Sequence, residues 1–168
     1  MGYSTDFSGE FALDKQLALD HFNYLKAFAN ARHVLRDEAK AAKVDDPLRM
    51  RVNLPVGTDG EFMVSADDGP DVIDYNVHPK SQPALWCQWV PNETGTAIEW
   101  DGGEKFYEYV KWLDYIIAKF LKPWGYVLNG EVEWEGQDSK DKGLLIVKDN
   151  VVTTRSGRTV YGKPKKVS

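Results

Sequence analysis

Residues 82–134 constrain the fold more than any other stretch, because they hold all six tryptophans and the most regular hydrophobic pattern in the chain. Apolar side chains in the second half of this stretch recur at steps of three or four residues: Phe106, Val110, Leu113, Ile117 and Phe120. That spacing is typical of an amphipathic helix with one face on a core. We therefore predict a helix over residues 104–121, which begins after Asp101-Gly102-Gly103 and ends before Pro123-Trp124-Gly125.

Strands are predicted on both sides of this helix. Residues 84–90 carry large side chains on both faces and predict a strand, which turns and returns as residues 96–100 to form a hairpin. In residues 126–135, apolar side chains alternate with Glu131, Glu133 and Glu135. One face of that strand is therefore apolar, and the other is a row of carboxylates. The apolar residues 143–148 and the following 151–153 predict two further strands.

The N-terminal half predicts a strand, a helix and an irregular region. Residues 3–13 alternate with period two, and Gly9 within them indicates a bulge or a close approach of two backbones. The alanine-rich residues 18–44 predict a helix, whose more polar second half we expect to project from the core or fray. Residues 48–83 have the poorest pattern, and we interpret them as a surface loop with short strands near 50–54 and 60–65.

The predicted element order is β-α-(β)-β-β-α-β-β, which contains the split β-α-β pattern of ferredoxin-like sandwiches. We therefore predict one α+β domain over residues 1–154, in which a mainly antiparallel sheet with extra strands carries two helices on one face. The other face of the sheet would then be exposed and available for binding. Residues 155–168 are basic and polar, and we expect a flexible tail.

Composition and charge restrict the classes of function. The single cysteine excludes an intrachain disulfide and fits a reducing cytosol, and no apolar run predicts a membrane span or a signal peptide. The net charge is −5, but residues 55–142 carry −10 and residues 143–168 carry +5. Because the acidic middle repels nucleic acid, we do not expect nucleic acid as a partner except through the basic tail.

No catalytic motif is present in the sequence. The three histidines are scattered and lack zinc-site spacing with the cysteine, and the Glu131 row lacks the pattern of a calcium loop. The serine-hydrolase elbow, the phosphate-binding loop and the dinucleotide glycine pattern are all missing. Cys87 lies in a strand between two tryptophans, so we predict a buried, inert thiol. We accordingly predict no catalytic residue, no metal and no cofactor.

The candidate binding residues are aromatic and acidic. Tryptophan is enriched in recognition surfaces, but core packing accounts for most tryptophans in any globular protein, so only exposed members of the set are candidates. The acidic candidates are the carboxylate row and, in addition, four aspartates of the irregular region 48–83. The full set is Trp86, Trp89, Trp112, Asp67, Asp68, Asp71, Asp74, Glu131, Glu133 and Glu135.

Residues 82–91 (QPALWCQWVP), 98–107 (IEWDGGEKFY) and 128–134 (LNGEVEW) resemble a set of small uncharacterised proteins carried by bacteriophages and some bacteria. The resemblance brings no activity, cofactor or catalytic residue with it. It implies a phage or prophage origin and a place in the cytoplasm of a bacterial host. By association, it also implies an accessory or counter-defence role that acts on a host component.

Three hypotheses follow from the sequence. The leading one is a small, soluble, non-enzymatic binding protein whose partner is a host or phage protein or a small nucleotide. The second is an enzyme or nucleotide-sequestering pocket, which requires three or more of the candidate carboxylates to converge with a tryptophan in one cavity. Dispersed carboxylates and a flat acidic or aromatic patch favour the first hypothesis. The third is a structural virion protein, which predicts stable homo-oligomers.

Overall fold

The computed structural model describes residues 2–167, and a six-stranded antiparallel sheet forms its centre. The strands within the described residues are β1 (Thr5–Leu13), β2 (Leu35–Arg36), β3 (Val72–Asp74), β4 (Trp89–Pro91), β5 (Ala97–Trp100), β6 (Leu128–Gly136), β7 (Lys142–Lys148) and β8 (Val151–Ser156). In the main sheet their spatial order is β4-β5-β1-β6-β7-β8, and β2 pairs with β3 in a separate small sheet.

The α-helices in the same part of the chain are α1 (Leu19–Asn30), α2 (Glu38–Ala41), α3 (Pro47–Arg51) and α4 (Tyr109–Ile116). A π-helical segment, Ile117–Leu121, continues α4, and a 3-10 turn covers Thr58–Gly60. Across residues 2–167, every helix is too short or too polar to cross a lipid bilayer.

The predicted fold class is confirmed as a mixed α+β fold. Strands β1 and β4 run parallel with β5 between them, because both are antiparallel to β5. Strands β5 and β6 likewise run parallel with β1 between them. The units β1-α1-β4 and β5-α4-β6 are thus two interlocked split β-α-β units, the ferredoxin-like arrangement. Strands β7 and β8 extend this sheet beyond β6.

The central strand pair, β1 and β6, requires a glycine in each strand. Gly9 has a φ of 111° and Gly130 a φ of 149°, values that side chains disfavour. A Cβ atom on Gly9 would lie 2.8 Å from the carbonyl oxygen of Glu131, and one on Gly130 would lie 2.9 Å from that of Glu10. The close approach of two backbones at Gly9 is therefore confirmed, and the same contact repeats across the pair at Gly130.

The two faces of the sheet differ in burial. Phe11 of β1, Val132 of β6 and Leu145 of β7 point towards the helices and are buried in one core with α1 and α4. The alternate residues of β1 and β6 are exposed: Asp6, Ser8, Glu10, Ala12, Asn129, Glu131, Glu133 and Glu135. As predicted, the helices cover one face, and the second face, which we call the open face, remains accessible.

The prediction of one continuous helix over residues 18–44 is wrong, because α1 ends at Asn30 and the chain is helical again at Glu38–Ala41, in α2. The backbone is extended at Ala31, and the following residues lead into β2 instead of projecting from the core. The Arg36 side chain is buried, where its Nη1 lies 2.7 Å from Oδ2 of Asp71. This tertiary contact accompanies the extended course of residues 31–36, whereas Ala39 and Ala41 are helical in α2.

The region predicted as a surface loop, together with the preceding residues 31–47, is a third layer that covers the outer side of α4. The strands predicted at 50–54 and 60–65 are wrong, because α3 and the 3-10 turn occupy this part of the chain. The Tyr115 hydroxyl of α4 donates to Oε1 of Glu61 at 2.7 Å, and Nε2 of Gln82 donates to the same hydroxyl at 3.1 Å. Burial and the Glu61 carboxylate raise the pKa of Tyr115 above its usual value. Helix α4 is consequently buried on two sides.

Three element boundaries also differ from the prediction. Helix α4 begins at Tyr109 rather than 104, because Lys105 and Glu108 both have a φ of 58°, which is incompatible with a helix. Strand β4 is confined to Trp89–Pro91, whereas 84–90 was predicted. Strand β8 reaches Ser156, so the C-terminal segment outside the sheet starts at 157 rather than 155.

The third layer contains a buried histidine that makes stability depend on pH. His33 is buried, its Nε2 lies 3.0 Å from the carbonyl oxygen of Phe28, and burial lowers its pKa from 6.5 to about 3. Because the unfolded chain binds this proton at a higher pH than the folded protein does, the stabilisation is complete above about pH 6.5 and is lost as the pH falls towards 3.

We therefore expect the wild-type protein to lose about 3 kcal/mol more of its unfolding free energy than His33→Gln between pH 7 and pH 4. Glutamine retains a donor for the Phe28 carbonyl but cannot be protonated. Urea unfolding of both proteins at the two pH values measures this difference. Parallel pH profiles of the two proteins would contradict the assignment to His33.

Candidate functional site

The ten candidate residues do not form one site. The structure places Glu131, Glu133 and Glu135 on the open face, and Trp86 in a groove beside β4. The acids of residues 67–74 lie in a third region, next to β2 and β3. Two tryptophans and one aspartate of the set are buried in the interior.

Trp89 and Trp112 are core residues, with 2% and 0% of their surfaces exposed. Nε1 of Trp89 donates to the carbonyl oxygen of Tyr109 at 2.9 Å, and its ring packs edge-on against Phe7 and Phe11. Of the three candidate tryptophans, only Trp86, which is 42% exposed, meets the condition that a binding residue be accessible.

The loop acids of residues 67–74 have different environments. Asp71 is buried against Arg36, so it is not available to a partner. Asp74 is exposed, and its Oδ1 accepts a hydrogen bond from the Asn76 amide at 2.9 Å, which stabilises a local turn. Asp67 is half-buried and Asp68 is exposed. These acids share a segment of chain but not a binding surface.

The carboxylates of the open face form a continuous acidic stripe across β1 and β6. The register of these strands sets Asp6 opposite Glu135 and Glu10 opposite Glu131, with Ser8 opposite Glu133. Like charges directly opposite each other in a sheet repel and reduce its stability. We call this set the acidic stripe: Asp6, Glu10, Glu131, Glu133 and Glu135.

The acidic stripe is bordered by apolar and basic side chains. Leu144 and Ile146 of β7 are half-buried on the open face, opposite Glu133 and Glu131. A depression of about 390 Å³ lies at one end of the stripe. Its polar lining consists of Asp6, Ser8, Glu133, Glu135, Lys142 and Arg158. The open face thus offers a concave, mainly acidic surface with an apolar side.

A second concave region, which we call the aromatic groove, lies between residues 78–88 and 104–108. Its volume is about 470 Å³, and its lining is mainly apolar, with Trp86 and Tyr107 as its exposed rings. The guanidinium of Arg32 lies 4.1 Å from the ring centroid of Tyr75 and 6.0 Å from that of Trp86. Tyr107 was not among the candidate residues, because a helix predicted from residue 104 leaves no loop at that position.

The thiol of Cys87 is buried, as its position in the sequence predicted. Burial raises the pKa of this thiol to about 12, as expected for an inert thiol. Within residues 2–167, the structure contains no group of three or more histidine, cysteine, aspartate or glutamate side chains that could hold a metal ion.

Comparison with known proteins gives no family assignment for this fold and these surfaces. No protein-family model matches the chain, no curated protein matches it, and no solved structure matches it. The resemblance to small phage-carried proteins consequently stays a prediction from the sequence.

Proposed function

We propose that this protein is a binding module that holds a basic segment of a partner protein on its open face. The observation that carries the proposal is the register of β1 and β6, which sets two pairs of carboxylates directly opposite each other on an exposed surface. Opposed carboxylates repel each other, and Lys142 of β7, which lies opposite Glu135, offsets only part of that repulsion. A cationic partner would offset the repulsion, so the stripe is suited to lysine and arginine side chains.

The shape of the surface supports a protein segment rather than a nucleotide. Glu133 and Glu135 share a depression with Asp6 and with Trp134, which is 9% exposed, while Trp86 lies in a separate groove. Among the described residues, two of the candidate carboxylates meet a tryptophan there, whereas a nucleotide-sequestering pocket requires three or more. Leu144 and Ile146 beside the stripe provide apolar contact for the stems of long basic side chains.

The sequence resemblance to phage-carried proteins makes this proposal more specific. A small phage protein that recognises a basic surface would act on a component of its bacterial host or of the host's defence. The partner in that case is a host protein with an exposed lysine- or arginine-rich segment, which the acidic stripe attracts over several ångströms before contact.

The test compares two variants with the same net charge. We expect the triple variant Glu131→Gln, Glu133→Gln, Glu135→Gln to bind a fluorescein-labelled nona-arginine peptide about tenfold more weakly than the wild type at 20 mM NaCl, because three favourable charge contacts are lost. Fluorescence anisotropy measures the affinity. The same variant should unfold at a slightly higher temperature, because the repulsion between opposed carboxylates is removed.

The control is the triple variant Asp45→Asn, Glu93→Gln, Asp114→Asn, which removes three exposed acids outside the open face. It should retain the wild-type affinity within about twofold, since no contact with the peptide is lost. Equal weakening in both triple variants would show that overall charge alone attracts the peptide. That result, or unchanged binding by the open-face variant, would contradict the proposal.

A further inference from the structure

Hydrogen bonds of Gln88 connect the walls of the aromatic groove. Nε2 of Gln88 donates to the carbonyl oxygen of Glu104 at 2.8 Å, and Oε1 of Gln88 accepts a hydrogen bond from Nε1 of Trp100 at 3.1 Å. These contacts tie the wall at residues 104–108 to strands β4 and β5. The wall also contains two non-glycine residues with positive φ, Lys105 and Glu108. Such strained backbone persists only where the surrounding structure holds it, and it is concentrated at binding sites.

The accessible surface of the groove combines aromatic rings with carboxylates. Trp86 and Tyr107 are 42% and 48% exposed, although both are large aromatic residues. Glu104 and Glu108 line the same groove and are exposed, and Glu108 makes a solvent-exposed ion pair with Lys111 at 3.3 Å. Among the described residues, the basic side chains in the lining are His78 and Lys105, and Lys105 runs alongside Gly2. Rings beside carboxylates favour a positively charged ligand over a negative one.

The aromatic surface at this end of the molecule already attracts one cation. The Arg32 guanidinium stacks on Tyr75 and lies 6.0 Å from the centroid of the Trp86 ring. A positive charge over an indole face is stabilised by the ring quadrupole, and the gain is larger when the site excludes water. Trp86 also lines the groove, so a cationic ligand there would meet the same indole ring.

We propose that the aromatic groove binds an organic cation with an alkylated ammonium headgroup. An unalkylated ammonium would leave its N–H donors without acceptors against the apolar wall, whereas methyl groups can pack on Trp86 and Tyr107. Glu104 supplies the nearby negative charge. The headgroup could belong to a free small molecule such as choline or to a methylated lysine of a protein, and both present the same chemistry to the groove.

The test uses choline and its uncharged carbon isostere, 3,3-dimethyl-1-butanol, at constant ionic strength. The readout is the indole N–H resonance of Trp86 in the full-length protein, assigned by its loss in Trp86→Phe. We expect a saturable shift with choline at millimolar concentrations and at least fivefold weaker binding of the isostere. Equal binding of the two compounds, or no saturable shift up to about 50 mM choline, would overturn the proposal.

Variants are used to locate the site. The readout is the backbone amide resonance of Tyr107, because this signal can still be observed when Trp86 is replaced. Trp86→Ala should abolish the choline-induced shift of this amide, Trp86→Tyr should retain it, and Glu104→Gln should weaken binding at least threefold. Glu93→Gln makes the same charge change in the turn between β4 and β5 and should bind as the wild type does. An unchanged affinity in Trp86→Ala would contradict the site.

A pentapeptide, Gly-Ser-trimethyllysine-Ser-Gly, distinguishes the two sources of the headgroup. Tighter binding of this peptide than of choline assigns the groove to a modified protein. Equal or weaker binding of the peptide assigns it to a free small molecule. The result is independent of the open face, because none of the residues of the acidic stripe lines the groove.

Discussion

Replacing Asp71 by alanine is expected to destabilise the protein by about 3–5 kcal/mol, because it leaves the guanidinium of Arg36 buried without its counter-charge. Nη1 of Arg36 lies 2.7 Å from Oδ2 of Asp71, and both side chains are almost completely excluded from solvent. Arg36 also donates to the carbonyl oxygens of Ser65 and Ala66 at 3.2 and 3.1 Å. These neutral acceptors remain in the variant, but they cannot balance a buried positive charge.

Urea unfolding at pH 7 measures this loss, and Asp68→Ala is the matched control. Asp68 is three residues away, exposed, and carries the same charge, so its substitution should change the unfolding free energy by less than about 0.5 kcal/mol. The double variant Arg36→Met, Asp71→Ala should recover part of the loss, since it removes both charges together. If Asp71→Ala were as stable as Asp68→Ala, the buried ion pair would be absent in solution.

Local pattern was sufficient to predict the sheet and its open face. Strands β1 and β6 show period two along the sequence, β7 is a short apolar run, and the alternation of Glu131, Glu133 and Glu135 with apolar residues identified the exposed side of β6. Alternation between neighbouring residues decides which side chains of a strand face the core, so the buried face can be predicted without knowledge of the fold.

The third layer was not predictable, because distant contacts determine its course. Arg36 and Asp71 are 35 residues apart, and the Tyr115 hydroxyl bonds to a carboxylate 54 residues away. No glycine or proline marks the end of α1, so the alanine-rich sequence indicated a longer helix. Polar residues at these positions suggested solvent exposure, whereas the structure buries them as hydrogen-bonded pairs.

The two candidate sites also could be predicted only where they depend on local sequence pattern. The acidic stripe was half predicted, since the alternation in β6 was evident, but the pairing with Asp6 and Glu10 depends on the register of two distant strands. The aromatic groove was missed apart from Trp86. Its second ring belongs to Tyr107, which lies in a loop between Lys105 and Glu108, two non-glycine residues with positive φ. Nothing in the sequence pattern indicates positive φ at such residues.

Replacing Trp112 by alanine should destabilise the protein by about 3–5 kcal/mol, the usual cost of removing a large aromatic side chain from a core. The apolar stripe of α4 placed Trp112 off the core-facing side, and the sequence therefore retained it as a binding candidate. In the structure it is fully buried under the third layer, with ring centroids 5.3 Å from both His33 and Tyr115 and 5.8 Å from Phe28.

Two further substitutions separate this core role from a binding role. Trp86→Ala removes the same side chain from an exposed position and should cost less than about 1 kcal/mol. Trp112→Phe should cost clearly less than Trp112→Ala, because phenylalanine refills part of the cavity and removes a buried indole N–H that has no hydrogen-bond partner in residues 2–167. Urea unfolding of the three variants measures the loss of unfolding free energy in each and so gives their order of stability. Equal stability of Trp112→Ala and Trp86→Ala would show that the third layer does not pack on α4 in solution, and it would restore Trp112 as a candidate for the binding surface.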